Sequence, residues 1–377
     1  MFQIAALKRV KRIYLLLVIV VCVVLNVVTF SPESWPSLNG LLWTPQIDSV
    51  NDPFFTYDYE SLTLYENDSW VNSFRLDSGS LTLGQKTPLC PRLPPRLVGH
   101  IKPNTSEVTI EALAAMFPEV TKGGRLSPSG CQPRQKVAFV FPYRRRWGHL
   151  KIVLKNLIPI LIRQQADVQF FVIEQAEGST FNRGALLNVG FLEALKVRDF
   201  DCFIFHDVDL IPLSDKNLYR CGDNPRHFAL ALNKYSYSIY YKAYFGGVIG
   251  FSKEQFLDVN GNSNVYVGWG GEDDDLLERS LNKGYYISRY GLGIAKYDMI
   301  SHGRDRGNEM NPHRLDALKN ARERQDIEGL NTLTYKVLTK KAHQLFTWIT
   351  VEINNQVLVQ LEKLYGSNSK KKSKLKS

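Results

Sequence analysis

Past Lys136 the chain alternates between two hydrophobic patterns. "VAFVFPY" is a short continuous apolar run that ends in a basic loop, "RRRW", and it predicts a strand. "HLKIVLKNLIPILIRQQ" follows, with apolar residues at helical spacing. "VQFFVIEQ" predicts a second strand, "FNRGALLNVGFLEALKV" a loop feeding an amphipathic helix, and "DCFIFHDVDLIPL" a strand that runs into acids. Strand and helix alternate with turn-sized links. That order predicts an α/β fold, a mixed, mostly parallel sheet flanked by helices. No internal repeat, G-x-G-x-x-G fingerprint or P-loop is present.

The N-terminal part reads differently. Ile13 to Phe30 is apolar apart from Asn26 and uncharged, close to the length of a bilayer core. Basic residues flank only its N-terminal side, which predicts a cytosolic N-terminus. A cleaved signal peptide is the rival, but the run is longer than an h-region and no A-x-A-like site precedes Ser31. The expected layout is a cytosolic tail (1–12), a signal-anchor helix (13–30), a stem rich in Ser, Pro, Asn and Asp (31–88), a lumenal domain (89–366) and a Lys-rich tail (367–377).

Charge and cysteines refine this layout. Of the +10 net charge, nearly all lies in Lys8, Arg9, Lys11 and Arg12 and in Lys370, Lys371, Lys372, Lys374 and Lys376. The body is close to neutral, which argues against a nucleic-acid partner. Beyond Cys22 in the apolar run, Cys90, Cys131, Cys202 and Cys221 form an even set without C-x-x-C spacing, which fits two disulfides in an oxidising space better than a zinc site. Asn67 in "NDS" and Asn104 in "NTS" are sequons that only a lumenal domain could use.

Two acidic stretches carry candidate chemistry. Asp207 and Asp209 in "FIFHDVDLIP" come where a buried parallel strand ends, the edge at which open α/β sheets bind ligands. On an extended backbone the two carboxylates would point the same way and could hold a divalent cation that binds a diphosphate. In "VGWGGEDDDL", Trp269 sits among Gly268, Gly270 and Gly271, and four carboxylates follow. Helix-dipole stabilisation explains acids at a helix start but not the glycines. A stacking tryptophan on a pliable loop beside a carboxylate with a raised pKa explains both, as a sugar-binding lid next to a general base. His302 and His313, in the polar stretch "MISHGRDRGNEMNPHRLD", are further candidate ligands or bases.

"FVFPYRRR", "FNRGALLNVGF", "FHDVDLIP", "YFGGVIGFSKEQF", "GWGGEDDDL" and "MISHGRDRGNEMNP" occur in that order, and from about Cys90 to Glu352 the chain resembles the beta-1,4-galactosyltransferase family, including its relatives that transfer N-acetylgalactosamine. The resemblance implies a GT-A fold in a type II Golgi membrane protein. It implies inverting transfer with Mn²⁺ and a UDP-sugar, here UDP-galactose, to O4 of a terminal sugar such as a GlcNAc-terminated glycan. It places Asp209, Met299 and His302 as metal ligands, and Asp207 and Val208 in the nucleotide site. Pro142, Tyr143, Arg144, Arg146, Phe181 and Lys234 would hold the donor, with Trp269 as the lid, Asp273 as the base and Glu272 beside it. Tyr241, Asp274, Arg314, Leu315 and Leu318 would meet the acceptor, and the disulfides would be Cys90–Cys131 and Cys202–Cys221. Tyr244 is where a tyrosine resembles galactose transferases and a Leu or Ile resembles N-acetylgalactosamine transferases. Leu315 stands where an aromatic is more usual, and Tyr240 where proline is. Alternatives are N-acetylgalactosamine transfer, or an inactive carbohydrate-binding Golgi protein.

Overall fold

The computed structural model describes residues 55–57, 87–303 and 306–353. The expected span 13–30, Asn67 and the Lys-rich tail lie outside the described residues. Among the described residues no helix is long and apolar enough to cross a membrane.

In chain order the elements are β1 (Phe55–Tyr57), α1 (Ile110–Met116), β2 (Arg125–Leu126), β3 (Lys136–Tyr143), α2 (Trp147–Arg163), β4 (Asp167–Gln175), α3 (Arg183–Leu195), β5 (Cys202–His206), β6 (Leu210–Pro212), β7 (Arg226–His227) and β8 (Ala231–Leu232). There follow β9 (Val248–Ser252), α4 (Lys253–Asp258), α5 (Glu272–Asn282), β10 (Ile287–Arg289), β11 (Lys296–Met299), α6 (Arg314–Lys319), α7 (Ala321–Arg324), β12 (Tyr335–Ala342) and β13 (Thr347–Ile353). The main sheet runs β1-β10-β7-β9-β5-β3-β4-β13-β12, with β2 on β4. Strands β5, β3, β4 and β13 are mutually parallel, whereas β9 is antiparallel to both its neighbours. The expected stem thus contributes one short strand, β1, paired in parallel with β10 at the sheet edge.

Both faces of the central strands are buried, which is why they read as continuous apolar runs. Their side chains sort by parity. Val137, Phe139 and Phe141 pack with Phe170, Val172 and the inner face of α2. Ala138 and Val140 pack with Phe171, Ile173 and α3. Gly190 lets α3 approach β3 closely, since a Cβ there would stand 2.2 Å from Val140 Cγ1. Asn182 caps α3 by accepting from Ala185 N–H at 2.9 Å.

One expected strand is two. Residues 201–213 break after His206, and Leu210–Pro212 pair instead with β11 in a separate three-stranded sheet, β6-β11-β8. Asp207, Val208 and Asp209 form the turn between the sheets. It is pinned by Asp207 N–H to the Gly247 carbonyl (3.0 Å) and Ile300 N–H to the Asp209 carbonyl (2.8 Å). The cysteines form the pairs Cys90–Cys131 and Cys202–Cys221.

Candidate active site

A cavity of about 460 Å³ opens at the C-terminal ends of β3 and β5. Its wall takes Pro142, Arg144 and Arg146 from the end of β3 and the loop after it, Phe181 and Arg183 from the start of α3, and Asp207, Val208 and Asp209 from the turn. Lys234, Tyr241 and Tyr244 come from the segment between β8 and β9. Trp269, Glu272, Asp273 and Asp274 come from the glycine-rich loop and α5, Met299 and His302 from the end of β11, and Arg314, Leu315 and Leu318 from the start of α6. Tyr143 does not reach it. Parity places its ring with Phe141 in the α2-side core, edge-on to Trp348 at 4.7 Å, so its neighbour Pro142 lines the cavity instead. His313 is exposed ahead of α6, outside the lining.

The two acids of the turn do not point the same way. Asp209 Oδ2 lies 2.8 Å from His302 Nε2, whereas Asp207 Oδ1 accepts from Arg183 Nε at 2.7 Å. A turn, unlike a strand, fans successive side chains apart. Burial pushes the Asp207 carboxyl up to about 6 despite Arg183, and the hydrogen bond to Asp209 raises His302. Met299 closes β11 opposite Leu210, its N–H held by Asn233 Oδ1 at 2.9 Å. Among the described residues no group of three or more His, Cys, Asp or Glu is arranged as a metal site. The candidate centre is instead one carboxylate, one imidazole and one thioether. That set is softer than a pure Mg²⁺ site, and Asp209, Met299 and His302 would hold a divalent ion such as Mn²⁺. Cations surround it. Arg146 Nη2 lies 2.8 Å from His302 Nδ1, and Arg144 covers the Phe181 ring at 4.9 Å while bonding the Ser179 and Gly307 carbonyls.

Elsewhere in the lining, α5 begins with Glu272, Asp273, Asp274 and Asp275. Burial, then Glu272 and Asp274, push Asp273 up to about 8. Tyr241 donates to Asp274 Oδ1 at 2.7 Å, and Arg183 Nη1 stands 3.7 Å from Glu272 Oε1. Trp269 is half-exposed, and Gly268, Gly270 and Gly271 around it all have left-handed φ (87°, 104° and 95°). The glycines are what that backbone needs. The loop is tied down at Gly268 N–H to the Phe181 carbonyl and Trp269 N–H to the Glu309 carbonyl, each 2.8 Å.

Sequence reasoning passed over Arg183. It bridges the two acidic clusters, and its Nη2, like Glu272 Oε2, is buried without a hydrogen-bond partner. Both residues line the cavity, so its wall holds an unpaired donor and an unpaired acceptor. The available signal was an arginine on an otherwise apolar helix start, one residue past its cap. Arg289 was also missed. Buried in β10, it donates to the Lys242 and Tyr244 carbonyls at 3.2 and 2.5 Å and so fixes the backbone that carries Tyr244.

Comparison with known proteins identifies this mixed sheet and its cavity as those of a GT-A-like glycosyltransferase. Residues 90–222 match the N-terminal region of glycosyl transferase group 7, and residues 226–303 match the family described as the N-terminal domain of galactosyltransferase. Mouse beta-1,4-galactosyltransferase 1 is 49% identical over 267 residues, covering 71% of this chain and 67% of its own. A Lymnaea stagnalis beta-N-acetyl-D-glucosaminide beta-1,4-N-acetylglucosaminyl-transferase is 39% identical over 340 residues, covering 76% and 69%. A mutant of Drosophila beta1,4-galactosyltransferase 7, solved with manganese, UDP-Gal and xylobiose, superposes with TM-score 0.51 and 30% identity, covering 58% of this chain and 94% of its own. The chain belongs to the beta-1,4-galactosyltransferase family.

Proposed function

We propose that this protein transfers galactose from UDP-galactose to O4 of a terminal sugar, with GlcNAc as the acceptor, and inverts the anomeric carbon. The observation that carries this reading is that one cavity is lined both by Asp209, Met299 and His302 with Arg144, Arg146 and Lys234, and by Asp273 with Glu272, Asp274 and Trp269.

Arg144, Arg146 and Lys234 supply positive charge and hydrogen bonds to the diphosphate, and Phe181 supplies a flat apolar face for the uracil ring. Asp209, Met299 and His302 would hold a divalent ion, which would supply positive charge to stabilise the leaving diphosphate. Glu272 and Arg183, both in the cavity wall, offer hydrogen-bonding groups to the donor-sugar hydroxyls. The acceptor O4 attacks C1 from the face opposite UDP, forming the new C1–O4 bond as the bond from C1 to the phosphate oxygen breaks. The O4 proton passes to the Asp273 carboxylate, and an α-linked donor gives a β-linked product. Trp269 over the sugar excludes water that would otherwise hydrolyse the donor.

Donors bearing an N-acetyl group are the second reading, because the Lymnaea relative is named as an N-acetylglucosaminyl-transferase. The deciding experiment incubates purified protein with Mn²⁺ and labelled UDP-galactose, UDP-N-acetylgalactosamine or UDP-N-acetylglucosamine and a GlcNAc glycoside. A β1,4-linked galactosyl product supports the proposal. Donor binding without transfer to any sugar would make this a carbohydrate-binding protein instead.

We also place it in the Golgi membrane, single-span, with residues after Phe30 lumenal. The two disulfides and the exposed Asn104 support that placement. Expressed in cells, the protein should shift in mobility on N-glycosidase treatment, and an unmodified Asn67 and Asn104 would count against it.

A further inference from the structure

We propose that Arg324 is a positioning residue for the acceptor. With Asp275, Arg279 and Glu328 it closes a buried ring of ion pairs, and from that ring it holds α6 in place against α5, the helix that carries Asp273. This rests on the transfer reading above and adds a residue to it.

Two arginines and two acids alternate around the ring. Asp275 Oδ1 accepts from Arg279 Nε at 2.5 Å, and Asp275 Oδ2 accepts from Arg324 Nη2. Glu328 Oε1 accepts from Arg279 Nη2 at 2.7 Å and from Arg324 Nε at 2.9 Å. None of the four side chains is more than 3% exposed. Their remaining polar atoms are bonded too. Glu328 Oε2 accepts from Asn264 N–H at 2.9 Å, Arg279 Nη1 donates to the Glu328 carbonyl at 2.9 Å, and Arg324 Nη1 donates to the Ala317 carbonyl at 2.7 Å.

Stability alone does not call for these charges. Taking ions out of water costs much of what their attraction returns, and apolar side chains of the same volume commonly serve as well. What two forked guanidiniums supply is one fixed arrangement of the segments they join. Those segments all lead to the cavity. Asp275 lies two residues past Asp273 in α5. Tyr266 donates its hydroxyl to Asp275 Oδ2 at 2.9 Å and packs against the loop that carries Trp269, where a Cβ on Gly271 would stand 2.7 Å from Tyr266 Cε1. Ala317 is the buried residue of α6, between Leu315 and Leu318 of the cavity wall.

Arg324 is the link from the ring to α6. That helix has six residues, too few to hold its shape alone. Its Ala317 carbonyl also accepts the Asn320 N–H at 3.2 Å, so the guanidinium grips the helix at its last turn. The chain of contacts from α6 through Arg324 to Asp275 therefore fixes how far Leu315 and Leu318 stand from Asp273. A general base acts only within hydrogen-bond reach of the proton it takes. A small shift of α6 thus carries the acceptor O4 away from Asp273 and leaves the donor in place.

The test measures two rates in each protein at saturating UDP-galactose and Mn²⁺: transfer to the methyl glycoside of GlcNAc, as kcat/KM for that acceptor, and hydrolysis of the donor without acceptor. Arg324→Lys keeps the charge but cannot bond both acids and the Ala317 carbonyl. Its ratio of transfer to hydrolysis should fall by up to about 10²-fold, the scale of a misplacement by roughly 1 Å. Its UDP affinity by calorimetry should hold. Because the ratio is taken within one protein, a general loss of active enzyme cancels. Glu328→Gln keeps the shape of the ring but loosens its hold on Arg324. It should shift the ratio the same way by less, and it decides the matter if Arg324→Lys does not fold. In the ligand-free protein, hydrogen exchange at the Ala317 and Asn320 amides should quicken in both variants. Arg198→Lys is the control. It weakens an ion pair to Asp167 at the start of β4, the end of the strands away from the cavity, and should lower Tm without moving the ratio. A lower Tm with ratio and exchange unchanged in the ring variants makes the ring purely structural and overturns the proposal. An equal fall of the ratio in Arg198→Lys overturns it as well. A parallel loss of UDP affinity in Arg324→Lys overturns the assignment to the acceptor. Wild type that transfers galactose to no sugar overturns the transfer reading itself, and the proposal with it.

Discussion

Tyr241 donates its hydroxyl to Asp274 at 2.7 Å, and among the described residues the adjacent Asp273 receives no side-chain hydrogen bond. Two neighbouring carboxylates are thereby given different work. Asp274 is tied to Tyr241. Asp273 is left as the stronger base, pushed up to about 8 by burial and then by the charges of Glu272 and Asp274. Asp273→Asn should bind UDP-galactose and metal normally and lose about 10²–10⁴-fold in kcat. Asp274→Asn should act mainly on the acceptor KM. Near wild-type kcat in Asp273→Asn would pass the role of base to Asp274.

The same carboxyl makes a stability prediction for the ligand-free protein. Its folded pKa, about 8, lies above the ordinary value of 3.8, so folding favours the protonated form. The stability it contributes is complete below pH 3.8 and is lost as pH rises through about 8. Asp273→Asn cannot ionise and escapes this loss. Its Tm should approach that of wild type near pH 4 and exceed it near pH 9, by roughly 2–4 °C for each kcal/mol relieved. A gap that does not widen with pH would mean that the carboxyl is already ionised at neutral pH.

Chelation should abolish transfer, and Mn²⁺ should restore it. Asp209→Asn and His302→Ala should each weaken Mn²⁺ binding in the presence of UDP by at least tenfold, since losing even a group that supports a ligand costs about 10–100-fold. Met299→Ala should weaken it less, because a thioether is a soft donor for this ion. Calorimetry reads all three, and unchanged affinity in Asp209→Asn would remove the turn from the metal site.

Much of the fold was legible because the central strands and helices are long and strongly patterned. Their order alone gives an α/β sandwich. The break at Asp207–Asp209 was not legible, because "FIFHDVDLIP" is equally apolar on both sides of it and nothing local says that the second half joins another sheet. Tyr143 was misplaced because the motif marks a stretch of chain, whereas the strand's period of two decides which member faces the cavity. The glycines around Trp269 announced an unusual backbone. Ser236 and Tyr237 adopt one with no such signal, so the Tyr235–Tyr240 stack appears only in three dimensions. Arg183 shows its importance only through partners far along the chain, Asp207 and Glu272.

Donor choice turns on how firmly one ring is held. Tyr244 is buried, edge-on to His227 at 5.1 Å and to Tyr241 at 5.6 Å, and its main-chain carbonyl is gripped by Arg289. A Cβ on Gly246 would stand 2.8 Å from Tyr244 Cε2, so the ring already fills its space. It cannot swing aside for a bulkier sugar without displacing these neighbours. An N-acetyl group at C2 of the donor therefore meets the ring, and its amide is buried without a partner. An unpaired buried amide costs about 1–3 kcal/mol, or roughly ten- to a hundredfold in discrimination. Wild type should prefer UDP-galactose over UDP-N-acetylgalactosamine by that factor. Tyr244→Leu opens the volume and should raise N-acetylgalactosamine transfer while largely sparing galactose transfer. Arg289→Lys, which loosens the carbonyl grip but keeps the charge, should erode the same preference with a smaller gain. Measuring kcat/KM for both donors in the three proteins with one GlcNAc acceptor checks this. A wild-type enzyme that already prefers the N-acetylated donor would show that the ring moves. The second reading, with an N-acetylhexosamine donor, would then be the correct one.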